Sequence, residues 1–223
     1  MKKILTVLCF VLLSSASFAQ YYGNQDAQLS FSIIGGGAVA FFQVKTANNN
    51  LTANSPNAVG YGGVSLDYKI NDYFSIGPAL SFAGKGGQTE EQTNNFGSYG
   101  VTEAYELYYL QGSFNFIGHI PLGDQANIFL GAGPFYSHSI FGTSKINDGG
   151  VESDGSVKFG NNGDFKTGDY GVTSEIGFKT ERGYIFGLNF DLGLSNIHQA
   201  NTVYLTDNQI KTRAIYLSFG RSF

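Results

Sequence analysis

Between Tyr184 and Ser195 the chain alternates without a break. Tyr184, Phe186, Leu188, Phe190, Leu192 and Leu194 occupy one set of positions, and Gly187, Asn189, Asp191, Gly193 and Ser195 occupy the other. Successive side chains of a strand point to opposite faces, so such a segment has one apolar face and one small, polar face. Beyond Leu13 the chain has no apolar run of the ~20 residues that a membrane-crossing helix needs. An apolar face of this kind either packs on a core or meets lipid. In lipid only a closed barrel satisfies every backbone group.

The same period recurs along the chain. Phe74, Ile76, Pro78, Leu80 and Phe82 oppose Ser75, Gly77, Ala79 and Ser81. Tyr170, Val172, Ile176 and Phe178 oppose Asp169, Thr173, Glu175 and Lys179. Val64, Leu66, Tyr68 and Ile70 oppose Ser65, Asp67 and Lys69, and Tyr108, Leu110, Phe114 and Phe116 oppose Gln111, Ser113 and Asn115. A stretch from Ile128 to Ile140 is less regular because Phe129 and Phe135 fall on its inner face. The first strand, Phe31 to Lys45, is apolar on both faces. With the C-terminal segment this makes eight strands.

Their connections alternate in length. Asn71-Asp72, Pro121 to Gln125 and Glu181 to Gly183 read as tight turns; Thr46–Asn57, Gly86–Gly100, Gly142–Lys166 and Asn196–Gln209 read as long loops. Transmembrane barrels have short periplasmic turns and long extracellular loops. The expected fold is therefore an all-β, eight-stranded antiparallel up-and-down transmembrane β-barrel with no second domain. Pro78 and Pro134 each remove a ladder donor, so a bulge or local break is expected at both. The alternative is a soluble lipocalin-like barrel with its apolar face turned inward around a ligand.

Both ends of the chain agree with export. Lys2 and Lys3, the apolar run Ile4–Leu13 and the small residues to Ala19 form a secretory signal. Residues 1–19 are expected to be removed, leaving 20–223 as the barrel domain in the outer membrane. The single cysteine, Cys9, would leave with the signal, so no disulfide or thiol chemistry is expected. At the other end Ile215, Leu217, Phe219 and Phe223 line one face and close the chain on an aromatic. This pattern is expected to be read by the barrel assembly machinery, after periplasmic chaperones deliver the chain to the outer-membrane lipid. The 13 basic residues lose Lys2 and Lys3, leaving 11 against 17 acidic ones, which argues against a nucleic-acid partner.

The stretches Asn71-Asp72-Tyr73-Phe74-Ser75-Ile76-Gly77, Tyr109-Leu110 leading to Ile120-Pro121-Leu122, and Phe129-Leu130-Gly131-Ala132-Gly133-Pro134 are accompanied by Leu192-Gly193-Leu194-Ser195-Asn196-Ile197 and the closing Tyr216 to Phe223. Together they resemble the PorT-like outer-membrane β-barrel family of Bacteroidota over nearly the whole chain. The resemblance implies fold and location and carries over no catalytic residue.

Candidate chemistry is sparse. His119 is placed near the periplasmic rim, His138 near the outer rim and His198 in the last long loop, so no metal centre is expected. Asp191, Ser195 and His198 are close in sequence and suggest a rim-located lipid-modifying enzyme. Ser195 and Asp191 share a strand face that ends before His198, whereas a triad requires convergence. Asp154-Gly155 lacks the acidic partner of a calcium loop, and Asn147–Lys166 reads as an exposed loop. Gly35-Gly36-Gly37 precedes no helix and is no nucleotide loop. Asp67, Lys69, Glu175, Lys179 and Asp191 are assigned to the barrel interior, where charges must be paired or neutralised. They are expected to form a salt-bridged plug, or alternatively to line a narrow hydrated path. No cofactor is implied. The expected function is a non-enzymatic envelope protein that anchors the surface or presents its long loops to an extracellular ligand, with a small pore as the alternative.

Overall fold

The backbone of the computed structural model pairs the two ends of the chain. The first strand, β1 (Leu29–Lys45), lies antiparallel to the last, β10 (Gln209–Ser222), with Ser32 opposite Ser222 and Lys45 opposite Gln209. Between them run β2 (Leu51–Ala53), β3 (Asn57–Asn71), β4 (Phe74–Glu91), β5 (Val101–Leu122), β6 (Ala126–Asp148), β7 (Val151–Ser156), β8 (Gly168–Lys179) and β9 (Tyr184–Gly193). The hydrogen-bonded order is β1-β3-β4-β5-β6-β8-β9-β10, which returns to β1, so eight antiparallel strands close a barrel. β2 pairs with β1 and β7 with β6, outside the ring. The structure describes residues 28–45, 51–53, 55–91, 101–122, 126–148, 151–199 and 209–223. The signal at 1–19 lies outside them, as do the turn at 123–125 and the loop positions 46–50, 92–100 and 200–208.

The alternation sets which side chains face out. Leu217 is 67% exposed, and Leu80, Leu110, Phe114, Leu130, Val172, Ile176, Leu188 and Ile215 also point away from the interior. Their inner-face neighbours Ser81, Gln111, Thr173, Asn189, Asp191 and Ser218 are buried. Tyr136 and Tyr170 pair across strands near the loop end, while Tyr68, Tyr73 and Tyr184 lie exposed near the turns. This is an apolar band flanked by aromatic residues, the arrangement that meets lipid. It rules out the inward apolar face of the lipocalin reading.

Several boundaries differ from the sequence reading. The first turn is Asp72-Tyr73, with Asn71 paired to Phe74, because the Asn71 side chain accepts the Tyr73 N–H at 2.9 Å and caps the hairpin itself. The Gly86–Gly100 loop is shorter than expected, since β4 runs to Glu91 against β5. The Thr46–Asn57 connection contains β2, and Gly142–Lys166 contains the end of β6 and all of β7.

Neither proline shifts the register. Pro78 stays paired with Phe114, and Pro134 with Val172. On the other side of each, pairing is interrupted: β3 and β4 lose it between Ser65 and Tyr68, and β5 and β6 between Ser113 and Phe116. A missing N–H breaks one ladder while leaving the other intact. The glycine before each proline lets the neighbouring carbonyl approach, Leu66 at Gly77 and Phe114 at Gly133. Both halves of the Gly-Pro echo thus solve the same local problem. The register shifts instead at Ile140, which has no partner between the Tyr108–Phe141 and Tyr109–Ser139 pairs, and at Ile70, between the Lys69–Ser75 and Asn71–Phe74 pairs. Gly36 in the first strand also faces a neighbouring backbone, at Leu217.

Candidate functional site

The barrel interior is layered, and inward positions of each strand supply each layer. At the turn end is a chamber of about 90 Å³, lined by Asp67, Asn115, His119, Asn127, Glu175 and Lys179 among others. Glu175 accepts a hydrogen bond from Asn115 at 3.1 Å, and Lys179 donates to Ser222 at 2.9 Å. His119 shares a hydrogen bond with Ser75 at 2.7 Å, and its Nε2 is 3.9 Å from an Asp67 oxygen. Phe129 covers Gly177, where a Cβ would meet the ring, so the glycine is what admits an inward aromatic.

Above the chamber, a hydrogen-bonded layer crosses the lumen. Asp191 accepts from Gln111 at 2.8 Å and from Tyr216 at 3.0 Å. Gln111 accepts from Ser137 at 2.6 Å, and Ser137 accepts from Lys85 at 3.1 Å. The Lys85 ammonium reaches Asp169 at 2.9 Å with both side chains fully buried, and it lies 4.1 Å from the centroid of the Phe135 ring. Asp169 also accepts from Ser195 at 2.5 Å and Thr212 at 2.7 Å. A buried carboxylate with two hydroxyl donors and a paired ammonium is what a low-dielectric interior requires.

The loop end is closed by apolar packing. Phe42, Val44, Tyr105, Leu107, Tyr109 and Ile210 point inward from β1, β5 and β10. Val157, Phe165 and Ile197, from the segments after β7 and β9, pack among them. The fully buried Phe165 ring lies 5.8 Å from Phe42 and 5.2 Å from Tyr105, spanning two walls. Its segment is fixed by backbone hydrogen bonds from Lys166 to Ile197 at 2.9 Å and from Ser139 to Thr167 at 2.8 Å. Residues 157–168 therefore form a strap across the mouth. The expected open loop at Asn147–Lys166 is instead a hairpin followed by this strap.

The five charges singled out in the sequence do not bond to one another. Asp67, Glu175 and Lys179 line the chamber with neutral or histidine partners, and Asp191 belongs to the crossing layer. Lys69 is exposed at the turn-end rim, because β3 ends two residues later. Among the described residues, the interior pair of lysine and carboxylate is Lys85–Asp169. Lys85 continues the alternation of Ser75, Gly77, Ala79, Ser81 and Ala83, a parity hidden by the glycines that follow it in β4.

The triad reading fails on geometry: Ser195 is committed to Asp169, while Asp191 is committed to Gln111 and Tyr216. His198 is buried beside the strap, in a bridge with Phe165. His138 faces outward, so the three histidines remain apart. Among the described residues no group of three or more His, Cys, Asp and Glu could hold a metal ion. Asp154 and Gly155 lie in β7. Ile215, Leu217, Phe219 and Phe223 all point outward along the last strand.

Residues 18–199 match the family model described as the outer membrane protein beta-barrel domain. No curated protein matches the chain. Among solved structures, the chain is similar to the attachment invasion locus protein Ail of Yersinia pestis, at 14% identity and a TM-score of 0.42, covering 88% of this chain and 99% of that one. It is also similar to the outer membrane protein OprG of Pseudomonas aeruginosa, at 12% identity and a TM-score of 0.44, covering 87% and 95%. A third is Neisserial surface protein A, at 14% identity and a TM-score of 0.37, covering 86% and 95%.

Proposed function

The chain belongs to the outer membrane protein β-barrel domain family, an integral component of the outer membrane, and from that premise we propose that it is a PorT-like, non-enzymatic envelope barrel that acts through its loop end. The observation that carries this reading is the closed lumen. A chamber at the turn end stops at the Lys85–Asp169 layer, and the Phe165 cap closes the interior above that layer. An eight-stranded barrel is just wide enough to be filled by side chains. The small-pore reading needs a path through both layers. The lipid-modifying reading needs a converged nucleophile and base at the rim, and Ser195 is turned to a carboxylate instead. What the fold offers the outside is a folded surface of strands and strap.

In this reading the outward residues Ile215, Leu217, Phe219 and Phe223 are the signal for the barrel assembly machinery, with periplasmic chaperones acting before insertion. The role is tested by displaying the full chain on cells and measuring adhesion to immobilised host or matrix surfaces. The comparison is a variant lacking residues 143–156, with heat-dependent gel migration confirming that its barrel inserts. Loss of adhesion with an intact barrel is expected. Unchanged adhesion, stepwise conductance in planar bilayers, or lipid hydrolysis by the intact protein would overturn the reading.

A further inference from the structure

Three ring strands outrun their neighbours. The β3–β4 ladder stops at Tyr61–Ala83, with one further bridge from Ser55 to Gln88, and β6 leaves β8 at His138–Gly168, beside the Ile140 bulge. Beyond these points β4, β5 and β6 continue as a sheet, with pairs as far as Glu91–Val101 and Val101–Asp148. At ~3.3 Å per residue, the eight steps from Ile140 to Asp148 carry this sheet roughly 25 Å along the strand direction. β7 adds a fourth strand, and all six of its residues are exposed. Among the described residues β7 pairs only with β6, so its other edge is open.

The hydrogen-bond phase of that edge follows from one contact. The Val157 N–H donates to the Gly142 carbonyl at 3.0 Å, in the same register as the β6–β7 ladder. In an antiparallel pair, hydrogen-bonded residues alternate with non-bonded ones. Gly155, Ser153 and Val151 therefore share the bonded phase of Val157 and turn their backbone groups toward β6. Glu152 and Asp154 present theirs to the open edge. The same two residues carry carboxylates on one face of the strand. On that face of the sheet lie Glu106 of β5, opposite Thr143, and Lys145 of β6, opposite Asp154. Among the described side chains, three carboxylates thus stand against one ammonium on that face.

We propose that the open edge of β7 is a docking site for an extended basic segment of a partner protein, which adds as a strand alongside Glu152 and Asp154. Main-chain hydrogen bonds would supply affinity, and alternating lysines or arginines would meet the carboxylates. A second copy of this chain fits less well. Antiparallel pairing of β7 with itself brings Glu152 and Asp154 against the same two residues, and facing like charges disfavour a strand pair. This inference deepens the loop-end binding reading and rests on it, because only a chain that acts through its loop end would use the edge.

The test uses the full chain in nanodiscs and two synthetic peptides of equal charge, Lys-Val-Lys-Val-Lys-Val-Lys and Lys-Pro-Lys-Pro-Lys-Pro-Lys. The first can form a strand; the second lacks alternate backbone donors. Calorimetry is expected to show the first binding at least about tenfold more tightly. Asp154→Pro removes an outward N–H while leaving the bonds to β6, so it should abolish that preference. Glu152→Gln with Asp154→Asn should weaken binding and flatten its salt dependence. Equal binding of the two peptides would mean charge attraction alone and would overturn the proposal. So would the absence of binding, or a preference that survives Asp154→Pro. The adhesion assay separates the readings: adhesion lost without residues 143–156 but retained in Asp154→Pro would reject the edge and keep the loop-end function.

Discussion

Lys85 has no exposed surface and is held by Asp169, Ser137 and an aromatic face. Removing one partner of such a pair leaves the other charge buried, at a cost of about 3–5 kcal/mol. Lys85→Ala should therefore lower the urea midpoint of the refolded barrel substantially. Lys85→Met with Asp169→Asn should lose much less, because neither charge remains. Titration by gel migration distinguishes these outcomes. His198 behaves differently. Burial first, and then the positive Lys166, hold its pKa below the ordinary 6.5. The unfolded loop binds a proton more readily than the folded one, so closure should weaken as pH falls through and below about 6.5. Amide exchange at Phe165 and His198 should speed up over that window, and His198→Gln should flatten the dependence. The inner carboxylates Glu175 and Asp191 were legible from strand parity alone. Their β5 partners were not, since Asn115 lies 60 residues from Glu175 and Gln111 lies 80 from Asp191.

The strap over residues 157–168 is the element the sequence disguised most. Its Gly, Asn and Asp content resembles an open loop, and only Val157, Phe159 and Phe165 break that pattern. An isolated aromatic in such a segment has no periodicity to announce it, and its burial depends on inward residues of β1 and β5. Phe165→Ala should remove about 3–5 kcal/mol of local closure. Limited proteolysis should then cut within residues 157–168 while the barrel retains its slow, SDS-resistant migration. Uniform resistance would show that the strap is held by its backbone bridges alone. The ring strands were legible because alternation is a local signal. Their extension to Glu91 and Asp148 was missed because lipid contact ends at the membrane rim and the apolar face ends with it. Beyond that point strands are polar on both faces and look like loops.

For the whole molecule, the ring order, the outward apolar band and the family match converge on a barrel of the outer membrane. Closure was foreseeable from the even number of strands and the alternating lengths of their connections. The blocked lumen was not, because filling is decided by which inward residues share a level, and register sets that. A barrel of this kind keeps its strands paired in SDS until heated. The most direct measurement is gel migration of the protein from outer-membrane fractions, with and without boiling. A compact band that shifts on boiling, confined to that fraction, is the predicted result. A protein that is soluble in the periplasm and migrates identically before and after boiling would contradict the membrane-barrel account.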